Sequence, residues 1–288
     1  MDSEIEISRP QMIPWPRRLS SIPWWAIAIL MLGALIALLI YTAPLYQDAF
    51  LFLLEGLRLT ITITLTSFLI ALILGLLAGL GRVSRSVILR NISQFYVEVV
   101  RGIPLLVLII YFAFVGAPLL VGLINAVGHL MASLLRFPPF SSLGAAMASM
   151  GIQDLSTTAR ATMGLAFGYG AYEAEVFRAG IESIAKGQME AARSQGMSYG
   201  QAMRYIILPQ AIRRVLPPFG NDFISMLKDS SLVSVLAVRE LTHLGKLNRA
   251  RTFRTFETWN TVAFMYLVLT LSLSLLVKLL ERRMGYEE

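Results

Sequence analysis

The sequence contains no cysteine, which excludes disulfides, thiolate metal sites and cysteine nucleophiles. Histidine is nearly absent as well. His129 and His243 stand far apart, without the paired spacing of a zinc site. No Gly-x-x-x-x-Gly-Lys-Ser/Thr stretch occurs, so no loop of that kind cradles nucleotide phosphates. With these groups missing, the chain is not an enzyme by itself. Charge is scarce too, at 15% of residues against 56% hydrophobic, a balance that belongs in a bilayer rather than in water. The net charge of +7 in so apolar a chain points to basic loops kept on the cytoplasmic side, not to nucleic acid.

What is present is a series of apolar runs. Residues 1–23 are polar and broken by Pro10, Pro14, Pro16 and Pro23, and read as a tail. The run 24–42 is just long enough to cross hydrocarbon, which takes roughly 20 residues. Arg17 and Arg18 before it also fit a signal peptide, but Thr42-Ala43-Pro44 is a poor cleavage site, so the reading is an uncleaved anchor with Trp24 and Trp25 at the interface. A second span is expected over Leu57–Leu80, where Gly75 and Gly79 admit another helix closely. Its start, Thr60-Ile-Thr-Ile-Thr-Leu-Thr, alternates like a strand, but the apolar length that follows decides for a helix. A third span combines Gln94–Arg101 with Ile103–Val115, kinked at Pro104, with Glu98 and Arg101 placed to pair. Residues 116–158 are read as an extracytoplasmic insertion, re-entrant or lying on the membrane. Thr158–Ala179 is the fourth span, again with glycines four apart at Gly164 and Gly168. The fifth opens at Pro217-Pro218 and ends near Val238. The sixth is Trp259–Leu280, closed by Arg282 and Arg283, with 282–288 as a tail. Six crossings place both termini inside. One loop violates the charge rule: Arg239, Lys246, Arg249, Arg251 and Arg254 fall on the outer side.

The segment 183–215 interrupts this pattern. Ser198 and Gln201 have capping-box spacing, so a helix should start at Tyr199. Tyr199, Ala202, Met203 and Ile206 share one face, and Pro209 should stop the helix. Gly196 separates it from a shorter helix around Glu190–Ser194, where only glycine turns left-handed without strain. So short a helix must dock on something, and from the residues alone either the bilayer surface or a partner serves.

The spacing of Glu190-Ala191-Ala192, Gly196, Ile206 and Leu208-Pro209 resembles the cytoplasmic coupling loop of type I ABC importer permeases. Further stretches are similar to the polar amino-acid uptake branch of that family: Arg101-Gly-Ile-Pro-Leu-Leu, Ala171-Tyr-Glu-Ala-Glu-Val-Phe-Arg-Ala-Gly-Ile, Leu227-Lys-Asp-Ser-Ser-Leu-Val-Ser-Val and Arg251-Thr-Phe-Arg-Thr-Phe-Glu. The resemblance covers about residues 55–284. It implies an all-α membrane fold, the type I ABC importer transmembrane domain over 55–281, with a five-helix core plus the N-terminal extra helix. It implies contact with a separate ATPase through Glu190, Ala191, Ala192, Gly196, Tyr199, Met203, Ile206, Leu208 and Pro209. No cofactor would be bound here, because ATP and Mg sit on that ATPase. The other partners implied are an identical or homologous second permease, an extracytoplasmic amino-acid-binding protein and the lipid of a bacterial inner membrane. The basic loop and the 116–158 insertion are expected to receive the binding protein.

Charges inside the spans point to a pathway. Lys228 and Asp229 fall near the middle of the fifth span, where an ionisable group costs roughly 2.5–3.5 kcal/mol and normally faces a cavity or a partner. Asn221, Ser225 and Lys228 form one stripe, overlapped by Asp222 and Asp229, with Ser230 following. Both signs suit a solute carrying an ammonium and a carboxylate. The alternative is an interhelical ion pair with Glu173, Glu175 or Glu98. Tyr172 and Glu175 share a face of the fourth span and extend the candidate pathway, although Glu175 also reaches Arg178 as a local pair. Gly168 and Gly170 stand where many members of the resembled family carry a polar residue early in this stretch. Competing functions are an ion-driven carrier, for which no internal repeat is evident, and a membrane scaffold or receptor subunit without a transport path.

Overall fold

The computed structural model describes residues 24–134, 137 and 139–283. The expected tail over 1–23, with Arg17 and Arg18, lies outside the described residues, as do residues 284–288 of the tail expected over 282–288, whose Arg282 and Arg283 instead end the last helix. Every regular element among the described residues is helical.

Helix α1 (Trp24–Thr42) is apolar throughout and buries none of its residues in this chain. One residue, Ala43, separates it from α2 (Pro44–Arg82). That helix starts well before the expected Leu57, because a proline in the first turn lacks only a donor the helix would leave unpaired. At 39 residues α2 is about 58 Å long and carries the molecule from one face to the other. The alternating threonines are helical: Thr62, Thr64 and Thr66 donate to the carbonyls of Arg58, Thr60 and Thr62. Each hydroxyl is thereby satisfied within the helix, and the alternation specifies no strand.

The third span differs from expectation at both ends. Gln94–Arg101 belongs to a separate helix, α3 (Val87–Arg101), and Pro104 is extended at φ −57°, ψ 137°. Proline disfavours helix in the residue before it, so Gly102–Pro104 breaks the chain rather than kinking it. Beyond the break, α4 (Leu105–Tyr111) does not stop at Val115. A π-helical turn (Phe112–Gly116) joins it to α5 (Ala117–Leu134). Much of the stretch read as an insertion therefore prolongs the third span. The short α6 (Phe140–Ala148) folds back on α5, where Gly128 and Gly144 meet backbone to backbone.

The fourth span is α7 (Thr157–Glu182), capped by Ser156. It packs along α2 and α4, and both glycine pairs noted in the sequence make room, Gly75 and Gly79 between α2 and α7, Gly164 and Gly168 between α7 and α4. A Cβ at Gly79 would stand 2.8 Å from the Phe177 Cβ, and one at Gly164 would stand 3.2 Å from the Ile109 Cα. After α8 (Lys186–Ser194) and α9 (Tyr199–Ala202), a second π-turn (Met203–Ile207) leads into α10 (Leu208–Asp229). Pro209 thus does not end a helix, and Pro217-Pro218 lie inside α10 rather than opening it. Pro209 occupies the first turn of α10, where its missing donor costs nothing. The fifth span stops earlier than Val238, at Asp229, and a 3-10 turn (Ser230–Leu236) follows. Last come α11 (Leu241–Thr252) and α12 (Thr255–Arg283).

The core lies where α2, α4, α7, α10 and the 3-10 turn meet, around Ile63, Ile109, Leu165, Met226 and Val233. Among the described residues, four helical stretches are long and apolar enough to cross a membrane: Trp24–Thr42, Pro44–Arg82, Leu105–Leu134 and Thr255–Arg282. α7 and α10, at 26 and 22 residues, have the length but more polar sequences.

Candidate functional site

The 183–215 segment folds as its residues require. Ser198 Oγ accepts from the Gln201 amide at 3.3 Å, and Gln201 Oε1 accepts from the Ser198 amide at 2.8 Å. Gly196 stands at φ +83° with open space around it, so the left-handed backbone, not crowding, calls for glycine. The apolar face is shifted by one residue. Ala202, Met203 and Ile207 are buried, while Ile206 is only half-buried. The π-turn inserts the extra residue, and Gln210 Nε2 donates to the Ile206 carbonyl at 2.8 Å.

That face packs on its own chain. Ile181, Ile184, Met203, Ile207 and Ala211 form one cluster, with Tyr199, Ile206 and Leu208 against it. The Arg85 guanidinium covers the Tyr199 ring at 5.0 Å. Of the residues carried by the coupling resemblance, Glu190, Ala191, Gly196 and Pro209 are exposed, whereas Ala192, Tyr199, Met203, Ile206 and Leu208 are wholly or partly covered. The outward surface includes a concavity of about 320 Å³ lined by Gln195, Gly196, Met197, Gln201 and Tyr205. Sequence reasoning missed Tyr205. It lies off the apolar face, and only the π-turn shows which way it turns.

Glu175 sits in an ion cluster at the same end of α7. It pairs with Arg82 of α2 and with Arg178, and Arg101 of α3 approaches at 3.7 Å. Arg101 also lies over the Tyr172 ring at 5.6 Å. Glu98 receives Gln94, and Gln94 in turn receives Arg82 Nε. Glu98 and Arg101 are therefore engaged elsewhere rather than with each other.

Lys228 and Asp229 stand at the junction of α10 and the 3-10 turn. The Tyr169 hydroxyl donates to Asp229 Oδ2 at 2.8 Å, a partner from α7 that sequence reasoning missed. Its flanking glycines were the available signal. Each marks a close approach, since a Cβ at Gly168 would meet Leu105 Cδ1 at 2.5 Å and one at Gly170 the Tyr96 hydroxyl at 2.7 Å. Lys228 and Asn221 are exposed in the single chain, and Ser225 and Asp222 are half-buried. Ser230 is buried and donates to the Leu227 carbonyl. Among the described residues no ion pair joins Lys228 to Glu173, Glu175 or Glu98. Glu173 is fully buried, and neither carboxylate oxygen has a hydrogen-bond partner among the described residues.

The basic segment lies at the opposite end of α2. Arg254 Nη1 is 3.3 Å from Asp48, and Arg251 covers the Phe52 ring at 4.4 Å. Buried Glu240 caps α11 by accepting from the Thr242 and His243 amides. Arg239 and Arg249 are exposed. Two basic regions thus occupy the two ends of one molecule.

Residues 71–286 match the family described as binding-protein-dependent transport system inner membrane component. The chain belongs to that family. The glutamine transport system permease protein GlnP of Escherichia coli (strain K12) is 36% identical over 234 residues, covering 81% of this chain and 92% of that protein. The probable amino-acid permease protein YxeN of Bacillus subtilis (strain 168) is 36% identical over 238 residues, 83% of this chain and 93% of that one. Among solved structures, an amino acid ABC transporter crystallised with histidines superposes with TM-score 0.63 at 34% identity, over 81% of this chain and 94% of that chain. An inward-facing MetNI methionine ABC transporter superposes with TM-score 0.58 at 19% identity, over 81% of this chain and 95% of that one, and shows the fold alone. The permease is a multi-pass inner membrane protein and the membrane subunit of an ABC importer. It holds no cofactor, ATP is hydrolysed by a partner ATPase, and a binding protein is its second kind of partner.

Proposed function

We propose that the permease carries a polar amino acid inward, with the 183–215 segment facing the cytosol and docked in the ATPase. The observation that carries the cargo class is the likeness to permeases named for glutamine and for amino acids. The chemistry of the α10 junction agrees. Lys228 offers a cation and Asp229 an anion on successive residues, with Tyr169 holding the carboxylate. A zwitterion needs both signs.

In this reading Asn221, Asp222, Ser225, Lys228, Asp229 and Ser230 border the path. Exposed polar groups at that depth need a cavity or a partner, and a second permease, identical or homologous, supplies the other wall. Glu98, Tyr172 and Glu175 act instead as a brace on the cytoplasmic side, since Glu175 is committed to arginines. The ATPase takes hold of Glu190, Ala191, Gly196, Gln201, Tyr205 and Pro209. The packed residues Ala192, Tyr199, Met203, Ile206 and Leu208 transmit movement into α7 and α10. Both termini are cytoplasmic, and α11 with its exposed arginines meets the binding protein. ATP shifts the balance of inward- and outward-open states only through its differential affinity for the two.

The test is ATPase stimulation in proteoliposomes holding permease, ATPase and binding protein, across a panel of amino acids. Stimulation by a polar amino acid at micromolar concentration supports the cargo class. Stimulation by sugars or peptides only, with every amino acid inert, overturns it.

A further inference from the structure

The stretch from Gly102 to Gln153 carries a single formal charge, Arg136, in sharp contrast to the basic α11 segment. Within it, the helix from Leu105 to Leu134 runs for 30 residues. At 1.5 Å per residue that is about 45 Å, against about 30 Å of hydrocarbon. The surplus either leaves the membrane or tilts within it. If it left, water would face Val127, Leu130 and Leu134, which with Leu119 and Leu123 form one exposed stripe along α5. The stripe continues the exposed side of α4 and the π-turn, at Val107, Tyr111 and Phe114, where the Tyr111 hydroxyl is its one polar group.

Three features favour tilting. The π-turn Phe112–Gly116 is followed one residue later by Pro118, and both are recognised causes of helix bending. α5 and α6 associate through small residues, a Cβ at Gly128 meeting the Ala148 amide nitrogen at 2.4 Å and one at Gly144 meeting the Ala132 amide nitrogen at 2.7 Å. Close approach of that kind drives helix pairing where no hydrophobic effect operates between helices. The hydroxyls of Ser133, Ser142 and Ser149 donate to the carbonyls of Leu130, Pro139 and Ala146, so these groups need no water, as hydrocarbon requires.

We propose that the α5–α6 hairpin is embedded in lipid, in the leaflet opposite the 183–215 segment, with its leucine stripe and Leu143 against acyl chains. The hairpin leads into α7 at Thr157, while the 183–215 segment follows the other end of that helix at Glu182. The inference goes beyond the transport reading and stands or falls independently of the cargo.

Because the chain has no cysteine, single labels are clean. The full-length permease carrying Leu123→Cys, Leu130→Cys or Leu143→Cys is labelled with an environment-sensitive fluorophore and placed in phosphatidylcholine nanodiscs. Arg193→Cys serves as the water-exposed control. Lipids bearing an acyl-chain nitroxide are expected to quench the hairpin labels several-fold more than aqueous iodide does, with the reverse order at residue 193. Iodide quenching equal to the control overturns the proposal in favour of a protruding hairpin. Quenching by neither agent overturns it in favour of a protein cover. The wild-type permease supplies a second readout that needs no substitution: an acyl-chain diazirine should label peptides spanning 119–143. Label found on α12 but absent there contradicts it.

Discussion

Gly75 of α2 lies directly against Glu173 of α7: a Cβ at the glycine would stand 2.4 Å from the Glu173 Cβ. This close approach seats a fully buried carboxyl group between α2 and α7. Gly75→Ala should therefore lower stability by about 1–3 kcal/mol, the usual effect of overpacking. Thermal melting of the detergent-solubilised permease measures it. Glu173→Gln keeps the shape and breaks no ion pair among the described residues, so its melting temperature should match or exceed wild type.

Glu175 ties α2 and α7 together and has α3 within reach through Arg101. Removing its charge in Glu175→Gln leaves Arg82 without its carboxylate and Arg178 with Glu182 alone. A loss of about 1–3 kcal/mol is expected, between the values for exposed and buried pairs. The double variant with Arg82→Gln should lose less than the sum of the singles. If the residue braces rather than binds, the KM for cargo stays at the wild-type value; a KM raised tenfold with unchanged melting would assign it to the pathway.

Tyr169→Phe removes the hydroxyl that holds Asp229 and leaves the ring in place. Hydrogen bonds to charged groups contribute about 1.5–3 kcal/mol. In uptake assays the KM for amino acid should rise several-fold while the bound ATPase still hydrolyses ATP. An unchanged KM removes Asp229 from the cargo site.

At Gly196 the space is open and the backbone is left-handed. Gly196→Ala should cost about 1–2 kcal/mol through conformation alone, with Gly196→Asn milder because asparagine tolerates that region. The readout is ATPase co-purification, which should weaken in the order wild type, Asn, Ala.

Burial pushes the Glu240 carboxyl above the ordinary carboxylate range, against the opposing pull of its two backbone donors. A raised folded value means that the neutral form is favoured on folding. Its contribution is therefore complete below the unfolded value and is lost as pH rises through the folded one. Melting temperatures across that window should fall with pH more steeply for wild type than for Glu240→Gln, and parallel curves would contradict the assignment.

Local chemistry was legible in advance where it acts over a few residues. The Ser198–Gln201 box, the left-handed Gly196 and the close approaches at Gly75, Gly79, Gly164 and Gly168 all stand as the sequence implies. What escaped was governed by continuity. Pro209 signals a helix end locally and Pro217-Pro218 a helix start, yet one helix, α10, runs on from the π-turn at Met203–Ile207 with all three inside it. The same device at Phe112–Gly116 joins a span to what looked like an insertion. Partners distant in sequence, Arg82 for Glu175 and Tyr169 for Asp229, have no local signal. They follow only from α2 and α10 both lying along α7.

The central claim is that transport is driven by a separate ATPase pressing on the 183–215 segment. Uptake of labelled glutamine into proteoliposomes holding binding protein and permease, with and without the ATPase, tests it most directly. The account predicts uptake only when the ATPase and ATP are both present, and its loss when Gly196→Asp abolishes ATPase binding. Uptake driven by a proton gradient in liposomes that lack the ATPase would contradict it.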